Sequence, residues 1–212
     1  MIADVADKGM PAALFMTLIR TLVRATVQEI DSPGKVLERV NEVLVPDARQ
    51  GMFVTIIYAV LDLESGELVY ANAGHNPPLL IRAATAGMES LERSGMALGV
   101  LEGNPVKERK LILNPQDLIV FYTDGLTEAF SSDGEMYGYQ HLREVVQAAG
   151  KAAAERGLSG TGQYTARDIL EAIVDSVNSF VGLAPASDDL TLLVLKRLPP
   201  GESANQGQGK EG

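Results

Sequence analysis

Leu118-Ile119-Val120-Phe121-Tyr122-Thr123 runs without a charge into Asp124, and Asp188-Asp189 run into Leu190-Thr191-Leu192-Leu193-Val194-Leu195. Both are continuous apolar runs, and both read as central, buried strands. Laid antiparallel and side by side, the end of the first meets the beginning of the second. Asp124 and Asp188-Asp189 then share one rim of a sheet. Met1 to Val5 reads as the end of another buried strand, so Asp4 can join them there. Carboxylates gathered at one rim repel one another unless protons or cations neutralise them.

Working outward, Gly9-Met10-Pro11 is a turn, and Pro11 suits the first turn of a helix. Phe15, Leu18, Ile19, Leu22 and Val23 repeat at helical spacing over 12–27, and the stripe Met10, Phe15, Met16 and Leu18 reads as helix core. Ser32 is the expected N-cap of a second helix with Pro33 at its first position. Its apolar face is Val36, Leu37, Val40, Val43 and Leu44, and Pro46 is expected just beyond its end. Phe53–Leu61 and Leu68–Ala73 flank Glu64-Ser65-Gly66-Glu67 and predict a hairpin. Leu79–Arg82 continues the strands. Val106–Leu113 and Leu118–Thr123, joined by Asn114-Pro115-Gln116-Asp117, predict a second hairpin. Residues 142–149 and 166–181 read as helices, 148–163 as a mobile loop, and Leu190–Lys196 as a last strand. Order and type together predict an α+β fold of antiparallel sheets covered by helices. One domain spans 1–197, and 198–212 is a polar, disordered tail.

The 212 residues include no cysteine, which excludes disulfides, thiolate metal sites and cysteine nucleophiles. A net charge of −10 argues against nucleic acid as a partner. No apolar run is long enough to span a bilayer, and Asp4 and Asp7 interrupt the N-terminus where a signal peptide needs a basic, then apolar, stretch. The expectation is a soluble, cytoplasmic chain without a membrane segment. With two histidines and no cysteine, an acidic rim offers hard oxygen donors, which suit Mg²⁺ or Mn²⁺. An Asp at a strand end is, taken singly, more often a turn former or cap. Asp7 and Asp189 could be nothing more.

The words around these carboxylates are specific. Asp4-Val5-Ala6-Asp7-Lys8-Gly9-Met10-Pro11-Ala12-Ala13-Leu14 resembles the D-V-[SA]-[GD]-K-G-x-x-A-A-L segment of SpoIIE-type phosphatases, a bacterial branch of the PPM metal-dependent phosphatases that includes RsbU-type stress regulators. Asn72-Ala73-Gly74-His75-Asn76-Pro77 is similar to N-A-G-H-x-P. Leu98-Gly99-Val100 matches an L-G-V word. Tyr122-Thr123-Asp124-Gly125-Leu126-Thr127-Glu128-Ala129 resembles Y-T-D-G-[LV]-x-E-A, and Asp188-Asp189-Leu190-Thr191-Leu192 resembles D-D-x-T-L-L. All five stand in the family's order.

The resemblance implies a PPM-like antiparallel β-sandwich flanked by helices, with αββα layers. It implies a pair of Mg²⁺ or Mn²⁺ ions bridged by Asp4, with the Val5 carbonyl as a further ligand. Asp124 and Asp188 would hold the second ion, and Asp189 is a further candidate. The catalytic set it implies is therefore Asp4, Asp124 and Asp188. Gly125 is expected to permit a tight turn. His75 is either a general acid or, the favoured reading, the histidine that fixes its turn. Lys8 either steers a phosphate or is a solvated lysine.

The resemblance also implies hydrolysis of a phosphoserine or phosphothreonine ester by a metal-activated water. The implied substrate is a phosphorylated anti-sigma-factor antagonist, with an upstream sensory or receiver domain and helices 12–45 coupling partner contacts to the metal site. A homodimer is left open. One departure stands out: the family's acidic G-D-x-[YF]-D hairpin does not precede Asp4. That predicts an unpaired sheet edge and a missing ligand. A fragment of a longer protein is the expected explanation. The alternative function is a catalytically impaired interaction module. An aspartyl-phosphate mechanism is disfavoured, because Asp4 and Asp7 do not form D-x-D-x-T.

Overall fold

The computed structural model describes residues 1–47, 51–159, 164–185 and 188–199. Among these, eight strands form two antiparallel sheets. The first takes β1 (Ile2–Val5), β2 (Val54–Leu61), β3 (Glu67–Ala73) and β6 (Arg109–Ile112), in the order β1-β2-β3-β6. The second takes β5 (Gly87–Ser90), β4 (Leu79–Arg82), β7 (Leu118–Tyr122) and β8 (Leu192–Lys196), in the order β5-β4-β7-β8. Helices α1 (Met10–Thr26) and α2 (Pro33–Asp47) follow β1. The short α3 (Asp124–Thr127) follows β7, and α4 (Gly138–Ser159) and α5 (Ala166–Val181) precede β8.

Side-chain alternation along the strands builds three apolar layers. Ala12, Phe15, Ile19 and Val23 of α1 and Val36, Leu37, Val40 and Leu44 of α2 pack on Val5, Val54, Ile56, Ala71 and Ala73 of the first sheet. Leu142, Val146, Ile169, Ile173 and Val177 pack on Leu79, Ile81, Leu118, Val120 and Tyr122 of the second. The remaining strand faces meet each other through Ile2, Ile57, Leu68, Tyr70, Leu80, Ile119 and Phe121. The result is the predicted αββα order. Leu37 and Leu142 are fully buried, and truncating either to alanine would cost about 2–5 kcal/mol. No helix of the described residues is long and apolar enough to cross a membrane.

One cap acts as the sequence predicts, and a second was not anticipated. Ser32 Oγ accepts from Lys35 N at 3.2 Å and caps α2. Thr165 and Asp168 form a capping box at the start of α5.

Several expectations fail, each for a physical reason. The stretch 106–122 is no hairpin. Its strand β6 pairs with β3, while β7 pairs with β4 and β8, so the turn at 114–117 carries the chain from one sheet to the other. Buried Asp117 holds that crossing: its carboxylate accepts from Asn114 N, Ala83 N and Arg82 Nη1 at 2.9–3.0 Å. Among the described residues β8 is an edge strand, not a central one, and Leu193 is 48% exposed. Pro46 lies inside the last turn of α2. Residues 148–159 continue α4, because alanine and charged residues favour a helix over a loop. Met10 and Leu18, 73% and 38% exposed, lie outside the core of α1. Strand β5 and helix α3 carry no periodic signal and were not predicted. Residues 160–163, Ser187 and the tail from 200 onward lie outside the described residues.

Candidate active site

Period two decides where Asp4 points. Ala3 and Val5 face α1 and α2, so Ile2 and Asp4 face the space between the sheets, Ile2 within its apolar packing. In register, Asp4 stands opposite Thr55 of β2. Strand β7 behaves likewise: Ile119 and Phe121 point between the sheets, and Thr123 and Asp124 continue past its end. At this end the two sheets part into a cleft of about 780 Å³, lined among others by Asp4, Val5, Lys8, Thr55, Asp124, Asp188 and Asp189.

Backbone contacts hold the second-sheet side of the cleft. Thr123 N donates to Thr191 O at 3.1 Å, and Thr191 N donates to Thr123 Oγ1 at 3.0 Å. These bonds extend the β7–β8 pairing up to the acidic pair. Gly125 lies against the same segment. A Cβ there would stand 2.4 Å from Asp189 O. Glycine is required for close approach of two backbones and not, as the sequence suggests, for a tight turn. Gly125 is simply part of α3.

The electrostatics follow from the crowding. The Asp4 carboxyl is pushed above the ordinary carboxylate range, first by burial and then by the charges of Asp124, Asp188 and Asp189, against a backbone hydrogen bond at Val5. Asp188 is lowered, first by its hydrogen bond to Lys8. Lys8 Nζ stands 3.0 Å from Asp188 Oδ2, and Asp189 N donates to Asp188 Oδ1 at 2.9 Å. The Val5 carbonyl accepts from Asp7 N at 2.8 Å, which leaves it one lone pair.

All five candidate ligands, Asp4, Val5, Asp124, Asp188 and Asp189, therefore line one cleft. They are not drawn up around a point. Among the described residues no three histidine or acidic side chains stand close enough to grip one ion. The donor chemistry fits a hard divalent cation: oxygen ligands, excess negative charge and a carboxyl already reluctant to ionise. Asp7 lines the cleft too, with its Oδ1 accepting from Lys8 N at 2.8 Å.

His75 is 2% exposed and does not line the cleft. Burial lowers its pKa to about 4. The turn around His75 is held by its neighbours through backbone atoms: His75 N donates to Asn72 Oδ1 at 2.8 Å and His75 O accepts from Arg93 Nε at 3.0 Å. Two residues have no place in the motifs above: Thr55, which lines the cleft, and Asn41, which lies outside it. Thr55 had a legible signal, a hydroxyl among the apolar residues of β2. Asn41 had none. Its amide accepts from Gly99 N and donates to Leu101 O, both at 2.9 Å, and so ties the Leu98-Gly99-Val100 word to α2.

The family model for Stage II sporulation protein E (SpoIIE) matches residues 1–198. This chain belongs to the SpoIIE family. The phosphoserine phosphatase RsbU of Bacillus subtilis is 29% identical to it over 198 residues, which cover 92% of this chain and 54% of RsbU. Protein IcfG of Synechocystis is 27% identical over 223 residues, covering 92% of this chain and 33% of IcfG. This SpoIIE-family chain thus spans between a third and just over half of these relatives. The RsbU and RsbW domains of a Mycobacterium tuberculosis protein superpose with a TM-score of 0.68 at 29% identity, covering 92% of this chain and 50% of theirs. The SiaA PP2C domain of Pseudomonas aeruginosa gives 0.74 at 18%, covering 92% and 72%. The catalytic domain of the phosphatase PstP, solved with two manganese ions, gives 0.61 at 11%, covering 93% and 86%. The fold is that of PP2C-type phosphatase domains.

Proposed function

We propose that this chain is the catalytic domain of a metal-dependent protein phosphatase that hydrolyses phosphoserine or phosphothreonine esters. One observation carries the reading: carboxylates from three distant segments, at residues 4, 124 and 188–189, line a single cleft. Asp4, Asp124 and Asp188 are the catalytic set. With Asp189 and the Val5 carbonyl, they would hold Mn²⁺ or Mg²⁺. Such ions supply an acidified water as nucleophile and neutralise charge on the phosphoryl oxygens.

The chain's own residues do the rest. The sheets fix Asp4 and Asp124 on opposite walls of the cleft. Gly125 lets the Asp188-Asp189 segment close against Asp124. Lys8 puts a cation at the rim, where a phosphate arrives. The cleft is open and so admits a phosphorylated loop of a folded protein. The substrate we infer is a phosphorylated anti-sigma-factor antagonist, in keeping with the names RsbU and RsbW among the similar proteins. A sensory or receiver domain in the full-length protein would control the domain.

A second reading, an interaction module with impaired catalysis, is favoured by the spread of the carboxylates among the described residues. Turnover of a phosphoserine peptide with and without Mn²⁺ separates the two. Metal-dependent release of phosphate, lost in Asp124→Asn, supports the phosphatase. No release by the wild-type chain at saturating Mn²⁺ favours the module.

A further inference from the structure

Behind the acidic cleft, where β3 of one sheet hands over to β4 of the other, an imidazole is enclosed. The handover is Gly74-His75-Asn76-Pro77-Pro78. Gly74 has φ +78°, and a Cβ there would stand 2.8 Å from Ala97 N, so only glycine fits. That turn drives the His75 ring into the interior. Nδ1 lies 2.9 Å from Thr55 Oγ1. Nε2 is fully buried and makes no hydrogen bond of regular geometry, although the backbone carbonyl of Tyr122 acts on the ring as an acceptor.

We propose that His75 is a positioning residue that links the two sheets behind the cleft and fixes the Thr55 hydroxyl as an acceptor beside Asp4. The inference rests on the phosphatase reading of that cleft. Its geometry is simple. Thr55 stands opposite Asp4 in the β1–β2 register. Tyr122 precedes Asp124 by two residues at the end of β7. A ring held between Thr55 and Tyr122 therefore braces the two strand ends that carry Asp4 and Asp124, and helps to set their separation.

The direction of the hydrogen bond follows from elimination. A neutral imidazole has one donor and one acceptor. With Nδ1 engaged by Thr55, Nε2 is the nitrogen left to serve the Tyr122 carbonyl, and a proton on Nδ1 would leave the buried Nε2 as a bare lone pair with no donor to meet it. A proton on Nε2 points a donor at that carbonyl and leaves Nδ1 to accept from Thr55. Thr55 then spends its only proton on His75. It presents lone pairs alone to whatever binds beside Asp4. That suits a cation-binding cleft better than a hydroxyl free to turn its hydrogen inward.

The sequence makes the test clean, because it holds two histidines, His75 and His141. Long-range ¹H–¹⁵N spectra of the labelled 212-residue chain, with His141→Asn to assign the signals, report the tautomer without any need for activity. The expected result is a neutral ring protonated at Nε2 at pH 7. A ring protonated at Nδ1, or at both nitrogens, overturns the proposal. The second arm is Mn²⁺ affinity by titration calorimetry. Thr55→Val and His75→Ala should each weaken binding roughly tenfold. Thr55→Ser and His75→Asn, which keep a hydroxyl and an acceptor, should stay within about threefold of wild type, and Thr55→Val/His75→Ala should be little weaker than the weaker single variant. Wild-type affinity in Thr55→Val overturns the proposal. If the wild-type chain takes up no Mn²⁺, the phosphatase reading fails, while the tautomer still decides the placement of His75.

Discussion

Lys8 Nζ lies 3.0 Å from Asp188 Oδ2 across the mouth of the acidic cleft, joining the loop after β1 to the approach to β8. Both side chains are well exposed, so the pair adds little to stability. Its effect is local: it occupies an oxygen that a divalent cation would use. Lys8→Ala should therefore tighten Mn²⁺ binding by about threefold, because one competing charge is gone. It should leave the melting temperature within about 1 °C of wild type. It should also lower kcat/KM for a phosphopeptide, since the cation at the rim is lost. Calorimetry, thermal unfolding and steady-state kinetics read the three effects separately.

Asp4 trades stability for its place in the cleft. Its folded-state pKa is raised by burial and by its acidic neighbours. A raised carboxyl binds its proton more tightly when folded, so ionisation destabilises the metal-free fold. The penalty is absent below the unfolded value of 3.8 and is complete once pH exceeds the folded value. Asp4→Asn should raise the melting temperature of the metal-free chain at pH 7 by about 1–3 °C, the size of a partly screened charge effect in a domain of this length. The gain should vanish near pH 3. Phosphatase activity should fall at least about 100-fold if Asp4 has the metal-binding role proposed for it.

His75 produces the opposite slope. Its pKa falls from 6.5 to about 4 on folding, so the unfolded chain binds more protons between those values. Its contribution is fully present above pH 6.5 and is lost as pH falls towards 4. The full swing is at most on the order of 3 kcal/mol. Denaturant titrations of the metal-free chain at pH 7 and pH 4.5 should show that loss, and His75→Asn should flatten it. An unchanged pH slope in His75→Asn would mean that the ring is not held neutral.

Gly125→Ala tests the close approach between α3 and the acidic pair. The added Cβ meets Asp189 O at 2.4 Å, and backbone cannot swing aside as a side chain can. Overpacking of this kind costs about 1–3 kcal/mol. The displacement falls on Asp124 and Asp188-Asp189, so activity should drop by more than the change in stability accounts for. Activity measured well below the melting point, together with unfolding curves, separates the two losses.

Much of this architecture was legible in the residues. Apolar periodicity gave α1 and α2, and the uncharged run 118–123 gave β7, because buried elements write their contacts into local pattern. The convergence of Asp4, Asp124 and Asp188-Asp189 was legible because each adjoins an apolar run that reads as a strand, although β8 is only partly buried. Pairing partners were harder. Strand β6 looks like one arm of a hairpin because 114–117 reads as a turn, yet it crosses between sheets, and only the burial of Asp117 beside Arg82 reveals why. Strand β8 looks central because it is apolar, although its outer edge has no neighbour among the described residues. Asn41 acts through partners about 60 residues away, and local pattern cannot carry such a distance.

The most direct measurement is anomalous diffraction at the manganese edge from crystals of the chain grown with Mn²⁺. Manganese peaks within coordination distance of Asp4, Asp124 and Asp188 are the predicted result, and Asp124→Asn should lose at least one of them. A cleft without manganese at saturating concentration, or manganese held only elsewhere on the molecule, would contradict the account.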